Sequence, residues 1–253
     1  MAGFLTDVRE TLFPRPDSKD GFLPPILVLM TVITGIVDAS SYLGLGHVFV
    51  ANMTGNVVFV AFAIAGVSGF SILSSVIALV FFVLGALSSG RFASHFGVNR
   101  AQLLGVCLGV QALLVALAVI VAGLSGDRLV GDVTYALIAP LACSMGLQNG
   151  VARKLAVPDL STTVLTLTIV GIGADSKIAG GAGSRAGRRL TSVASMFLGA
   201  LIGALLVLHA AVVYSLILVF GIAVVLAAVS LRLAHGGAAW TRAQPAVEVP
   251  KKP

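Results

Sequence analysis

The sequence predicts an all-α polytopic membrane protein, with about six transmembrane helices and two short, broken or re-entrant helices. Three observations predict it. The 253 residues are 58% hydrophobic and 10% charged, whereas soluble domains carry roughly 25% charged residues. The charges are also clumped: no Asp, Glu, Lys or Arg occurs at 39–90, 101–126, 133–152 or 190–231. Each gap holds at least the ~20 apolar residues that one bilayer crossing needs. Finally, the apolar segments come in the order long, short, long, long, and then in that order again.

Residues 1–21 read as a cytoplasmic N-terminal segment. Phe4, Leu5, Val8 and Leu12 share one helical face, which suits a helix lying along the membrane surface. Asp7, Glu10, Asp17 and Asp20 outnumber Arg9, Arg15 and Lys19 there, and the apolar run beyond outlasts a signal peptide, so it reads as an uncleaved first span. Eight apolar segments follow, at 22–45, 50–66, 71–93, 101–124, 133–154, 160–174, 190–208 and 210–231. Residues 22–124 make a first membrane repeat, 125–132 an external loop and 133–233 a second repeat. The tail 234–253, with Gly236, Gly237, Pro245, Pro250 and Lys251-Lys252, reads as a disordered, solvated cytoplasmic end.

Charge placement bears on whether the short segments 50–66 and 160–174 cross. If both dip in and return, 15 of the 16 Lys and Arg fall on the cytoplasmic side, with Arg128 alone outside. If all eight segments cross, 12 fall inside and 4 outside. Positive-inside bias favours the first arrangement, with both termini cytoplasmic. The same bias explains the net charge of +6 without a nucleic-acid partner. Cys107 and Cys143 lie in apolar stretches and read as packing residues. No CxxC or HExxH pattern occurs, so neither a metal nor a cofactor is expected.

The repeat extends to letters. Gly35-Ile-Val-Asp38 is followed sixteen residues later by Thr54, and Gly146-Leu-Gln-Asn149 seventeen residues later by Thr166. With non-crossing short segments each half makes three crossings, so the second half is inverted relative to the first. Inverted repeats with broken helices are a transporter and channel architecture.

Asp38 is the one charged residue deep within a long apolar segment. An Asp at mid-membrane costs about 2.5–3.5 kcal/mol on insertion scales and is a functional candidate by default. Asn149 takes its place in the second half, with Gln148 beside it. Asn52, Thr54 and Asn56 open one short helix; Thr162, Thr163 and Thr166 open the other. Such polar helix starts can present N–H groups to a polar or anionic solute. Together these residues form the expected substrate or ion site. Gly199–Gly203 and Gly146–Gly150 are Gly-x-x-x-Gly pairs suited to close helix contact. The basic, Gly-rich loop 177–189 lacks a P-loop pattern and suits anionic lipid head groups.

Gly35-Ile-Val-Asp38-Ala39, Phe49-Val50-Ala51-Asn52-Met53-Thr54-Gly55-Asn56, Gly146-Leu-Gln-Asn149, Ser161-Thr162-Thr163, Arg188-Arg189-Leu190 and Gly199-Ala-Leu-Ile-Gly203 together resemble the YoaK-like bacterial membrane proteins, a family of unknown function. The resemblance runs from about residue 22 to 233 and implies a multi-pass protein of the bacterial plasma membrane. One departure is that Thr166 is followed by Leu167, where the family often has Thr-Gly. The expected function is a small-solute transporter or channel, solute and oligomeric state unspecified. A non-transporting scaffold for another membrane protein is the alternative. A membrane-embedded enzyme has less support, since the spans offer no nucleophile–base pair.

Overall fold

The structure is a computed structural model that describes residues 2–15, 17–126, 129–160, 162, 165–176, 179–181 and 185–242. Nine α-helices are described: α1 (Ala2–Leu12), α2 (Leu23–Gly44), α3 (Met53–Ile64), α4 (Ile72–Phe96), α5 (Arg100–Ser125), α6 (Asp132–Leu155), α7 (Leu165–Ala174), α8 (Ala186–His209) and α9 (Val212–His235). Prolines near the start of α2 suit a first turn whose N–H groups have no helical partner. Ser71 and Asn99 cap α4 and α5 by accepting from the backbone N–H of Ser74 and Gln102.

Five helices, α2, α4, α5, α8 and α9, are long and apolar enough to cross a membrane. The sixth long helix, α6, has 24 residues and is the least apolar of the six. It is also largely buried by its neighbours, so it faces protein more than lipid. Large apolar side chains stand exposed along the others, among them Val83, Leu113, Phe197 and Val225. That much exposed apolar surface is a lipid-facing belt, and the chain is a multi-pass membrane protein.

Contacts between helix ends sort the turns into two groups. At one end, Arg100 joins Asp20 to the Leu155 carbonyl. Arg188 reaches Thr11 and the Pro158 carbonyl, and Asn99 reaches the Ala234 carbonyl. At the other end, Gly44 packs on Val212, and the His47 ring bonds the Gly69 carbonyl at 3.1 Å. Six helices therefore run from end to end. The short helices do not: α3 starts level with Asp38 inside α2, yet its far end returns to His47, where α2 emerged. Likewise Asp159 before α7 and Asp175 after it both bind Arg189. Both short helices are re-entrant, and the described Lys and Arg side chains in the turns gather at one end.

This arrangement gives a labelling result. In a background with Cys107 and Cys143 replaced by Ser, Ser68→Cys and Ala174→Cys are expected to react with impermeant maleimide from opposite faces of the membrane. Reaction from the same face would place one short helix across the bilayer.

Helix pairing obeys the internal repeat. The two most extensive contacts are α4 on α6 and α2 on α8, which exchange when the halves are exchanged. The α5–α6 and α2–α9 contacts exchange in the same way, and α5–α9 maps onto itself. Glycines make the two main crossings close. Gly146 lies on the Phe82 carbonyl and Gly85 on that of Cys143. Their counterparts, Gly35 and Gly199, lie on the carbonyls of Met196 and Val32. Gly150 and Gly203 extend the same crossings, against Ser89 and Ile36. Within lipid, such backbone approach is a main source of helix association.

Two terminal segments complete the basic end. α1 docks on the start of α8, where Gly187 meets Phe4 and Asp7; Leu5 and Phe13 remain exposed. The expected solvated tail begins later than residue 234. Residues 239–241 form a 3₁₀ turn, and Trp240 is 6% exposed because its indole covers Gly21 and packs edge-on against Phe22. One large aromatic ring overrides the local Gly and Pro content. Residues 243–253, with Lys251-Lys252, lie outside the described residues, as do Arg128 and part of the basic loop.

Candidate functional site

Each long-to-short helix turn carries backbone that ordinary residues avoid. Among the described residues, the non-glycine positions with positive φ are His47 (56°), Ala156 (49°) and Asp159 (62°). All three fall in these two turns. Left-handed conformations at such residues cost of order 1–3 kcal/mol each and cluster at functional sites. The two turns end in polar half-sites, built alike and filled differently.

In the first half, Asp38 is 3% exposed. Its Oδ1 accepts from the backbone N–H groups of Val50 (3.0 Å) and Ala51 (2.8 Å), and its Oδ2 from the Asn52 amide. Asn56, fully buried, closes a ring with Phe49: it accepts from the Phe49 N–H at 2.9 Å and donates to the Phe49 carbonyl at 2.6 Å. These bonds satisfy the irregular backbone of the descending loop, which lipid would leave unpaired. An aromatic stack fills the space above. Tyr42 lies on Phe49 (5.1 Å), Phe49 on Phe59 (5.5 Å) and Phe59 on Phe70 (5.0 Å). Asp38 and Asn56 are thereby shut off, and Asn52 stays partly exposed at the rim.

In the second half, Thr162 donates to the Asn149 Oδ1 at 3.1 Å, as Asn52 does to Asp38. Above it stands a cavity of about 660 Å³, lined by Asn149, Arg153, Leu160, Thr162, Thr168 and Arg189 among others. The difference has a sequence cause. Tyr42 and Phe49 lie four and eleven residues after Asp38; Arg153 and Leu160 hold those places after Asn149. Aliphatic and basic side chains line the space where the first half stacks rings. Arg189 holds both flanks of α7, binding Asp159 at 2.8 Å and Asp175 at 2.7 Å. Its guanidinium lies against Gly171, in space that a side chain there would contest.

Between the halves, Gln111 donates to Gln148 at 2.7 Å, and Gln148 donates to Thr34 at 2.9 Å and to the Met30 carbonyl at 3.2 Å. All three side chains are buried. Gln148 thus ties α2, α5 and α6 together and does not line the cavity.

The structure therefore distributes the sequence-derived site residues over three places. Asp38, Asn52 and Asn56 form the shut half-site, and Asn149 and Thr162 line the open one. Gln148 belongs to the central network. Thr54 and Thr166 are exposed on the outer faces of α3 and α7, as equivalent positions should be. Thr163 lies outside the described residues. Thr168 and Arg189 line the cavity and are additional to the sequence-derived set. Thr168 was within reach: it stands two residues after Thr166, as Asn56 stands two after Thr54.

Comparison with known proteins places these features in a wider group. The model of a family described as "Protein of unknown function (DUF1275)" matches residues 26–229, which include both half-sites, four of the six long helices whole, and all but the first residues of α2 and the last of α9. A curated relative, the UPF0700 transmembrane protein YoaK of Bacillus subtilis (strain 168), is 35% identical over 153 residues. That match covers 58% of this chain and 64% of the relative, so the chain spans a little under two thirds of that protein's length. No solved structure matches the chain.

Proposed function

The chain belongs to the DUF1275 family of membrane proteins of unknown function, and from that premise we propose that it is a small-solute transporter or channel of the bacterial plasma membrane. The observation that carries the reading is the unequal state of two equivalent half-sites. One is sealed by hydrogen bonds and stacked rings, and the other stands before a cavity at the basic end. Inverted repeats move solutes when their halves exchange conformations around a central site. Positive-inside bias puts the basic end, and with it both termini, in the cytoplasm. The state described then opens inward. Asn149, Thr162 and Thr168 would meet the solute in this state, and Asp38, Asn52 and Asn56 in the opposite one. Arg189, paired with two carboxylates, would hold α7 in place.

The test is flux into liposomes holding the purified protein, screened over small polar and ionic solutes. For a transported solute, Thr162→Val and Thr168→Val are expected to cut flux about fivefold to tenfold, one hydrogen bond each. Helix content should stay as in the parent, and flux is compared at equal amounts of folded protein, because Thr162→Val also removes the bond to Asn149. Thr54→Val and Thr166→Val, at exposed positions, should leave flux unchanged. Equal flux in all four variants would remove the cavity from the pathway. Absence of flux for every solute, with a stoichiometric membrane protein co-purifying, would replace transport by a scaffold role.

A further inference from the structure

We propose that a second cavity, at the basic end between the N-terminal segment and the ends of α4, α5, α6 and α8, binds a phosphate group with Arg100 as its principal ligand. The cavity holds about 1040 Å³ and is lined by six Lys or Arg residues against four Asp or Glu. It adjoins the cavity at Asn149 at Ala156, which lines both, and shares no other lining residue with it.

The guanidinium of Arg100 carries the inference. Its side chain is 8% exposed. Nη2 is held from two directions, by the Leu155 carbonyl at 2.9 Å and by Asp20 at 3.3 Å. Nη1 is buried and has no hydrogen-bond partner among the described residues, while the residue lines the cavity. A buried N–H left unpaired is costly, more so on a charged group. Nature satisfies such donors with acceptors, and a planar guanidinium suits an oxyanion. Asp20 is already engaged, so one arm of the Arg100 guanidinium is fixed, and the other is enclosed at the cavity's edge without an acceptor. Lys154, exposed beside the Arg100 anchor at Leu155, and Arg188 from the start of α8 add positive charge around the same space. Several cations converging on a roomy cavity match a phosphate, with its three acceptor oxygens, better than a single carboxylate. A phosphate on a lipid head group and one on a soluble metabolite would make the same contacts.

The experiment measures equilibrium binding to the purified full chain in neutral detergent. The two probes are radiolabelled inorganic phosphate and radiolabelled dioctanoyl phosphatidic acid. Saturable binding of at least one probe is expected, undiminished by excess acetate. Arg100→Gln should weaken it about tenfold or more, the loss of one charge-assisted hydrogen bond. Lys154→Gln, whose exposed position leaves folding untouched, should weaken it severalfold and keeps the test valid if Arg100→Gln misfolds. Binding of inorganic phosphate would identify a soluble source, and binding of phosphatidic acid alone a lipid one. Failure of both probes to saturate, or equal binding by the parent and Lys154→Gln, would overturn the proposal. Solute flux through the other cavity is a separate readout and does not bear on it.

Discussion

Asp38→Ala is expected to remove folded protein from the membrane. Alanine takes away the acceptor for two backbone N–H groups, at Val50 and Ala51, and for the Asn52 amide. The two backbone groups are buried, where no water replaces it. Each buried donor left unpaired costs about 1–3 kcal/mol, so the backbone pair alone amounts to roughly 2–6 kcal/mol. Whole-domain stabilities run to about 5–15 kcal/mol. The loop would lose its seat, and the aromatic stack built on Phe49 would lose its base. Asp38→Asn retains an acceptor oxygen and should lose far less. The check is yield of monodisperse protein in detergent, with thermal unfolding of whatever survives. An Asp38→Ala variant with parental yield and melting would mean that something other than this carboxyl holds residues 49–52. If Asp38→Asn folds normally yet carries no solute, Asp38 has a transport role beyond anchoring.

Gly35→Ala and Gly146→Ala should be nearly as damaging, and damaging by similar amounts. A methyl group at Gly146 would run into the Phe82 carbonyl, and one at Gly35 into that of Met196. These obstacles are backbone, so neither can rotate aside. Overpacking typically costs about 1–3 kcal/mol, and a blocked backbone crossing belongs at the top of that range or above. The two crossings are exchanged by the internal symmetry, hence the matched effect. Gly109→Ala, Gly123→Ala and Gly221→Ala are the controls. Nothing lies within 4 Å of the added methyl at any of them, and alanine is the better helix former by about 1 kcal/mol. Thermal unfolding in detergent should fall for the first pair and hold or rise for the other three. Parental stability in Gly146→Ala would show that α4 and α6 are not packed as closely as described.

These expectations separate what could be read locally from what could not. The long-short-long-long order, the inverted halves and the equivalence of Asp38 with Asn149 were all legible. They rest on the exclusion of charge from hydrocarbon and on spacing along one chain. The Gly-x-x-x-Gly pairs were legible as packing, because small residues at that interval have few other uses in a span. Orientation of the short helices was not. α3 is apolar nearly all round, so its composition could not say that Asn56 turns inward and Thr54 outward. Trp240 was missed for a related reason: the glycine that receives its ring is more than two hundred residues away in sequence.

From its residues alone, then, this chain was bound to live in a bilayer, to repeat its helix order, inverted provided the short segments do not cross, and to place polar groups where two short helices begin. Water-fearing segments and excluded charges act locally, and any reader of the sequence can add them up. Whether those polar groups were consumed or left facing space was decided only in three dimensions. Asp38 is occupied because the loop at 49–52 folds back onto it and Tyr42 and Phe49 stack over the result. Asn149 fronts a cavity because Arg153 and Leu160 pack no such stack. Satisfaction of a buried hydrogen-bonding group depends on which distant atoms arrive beside it, and that is a property of the packed fold.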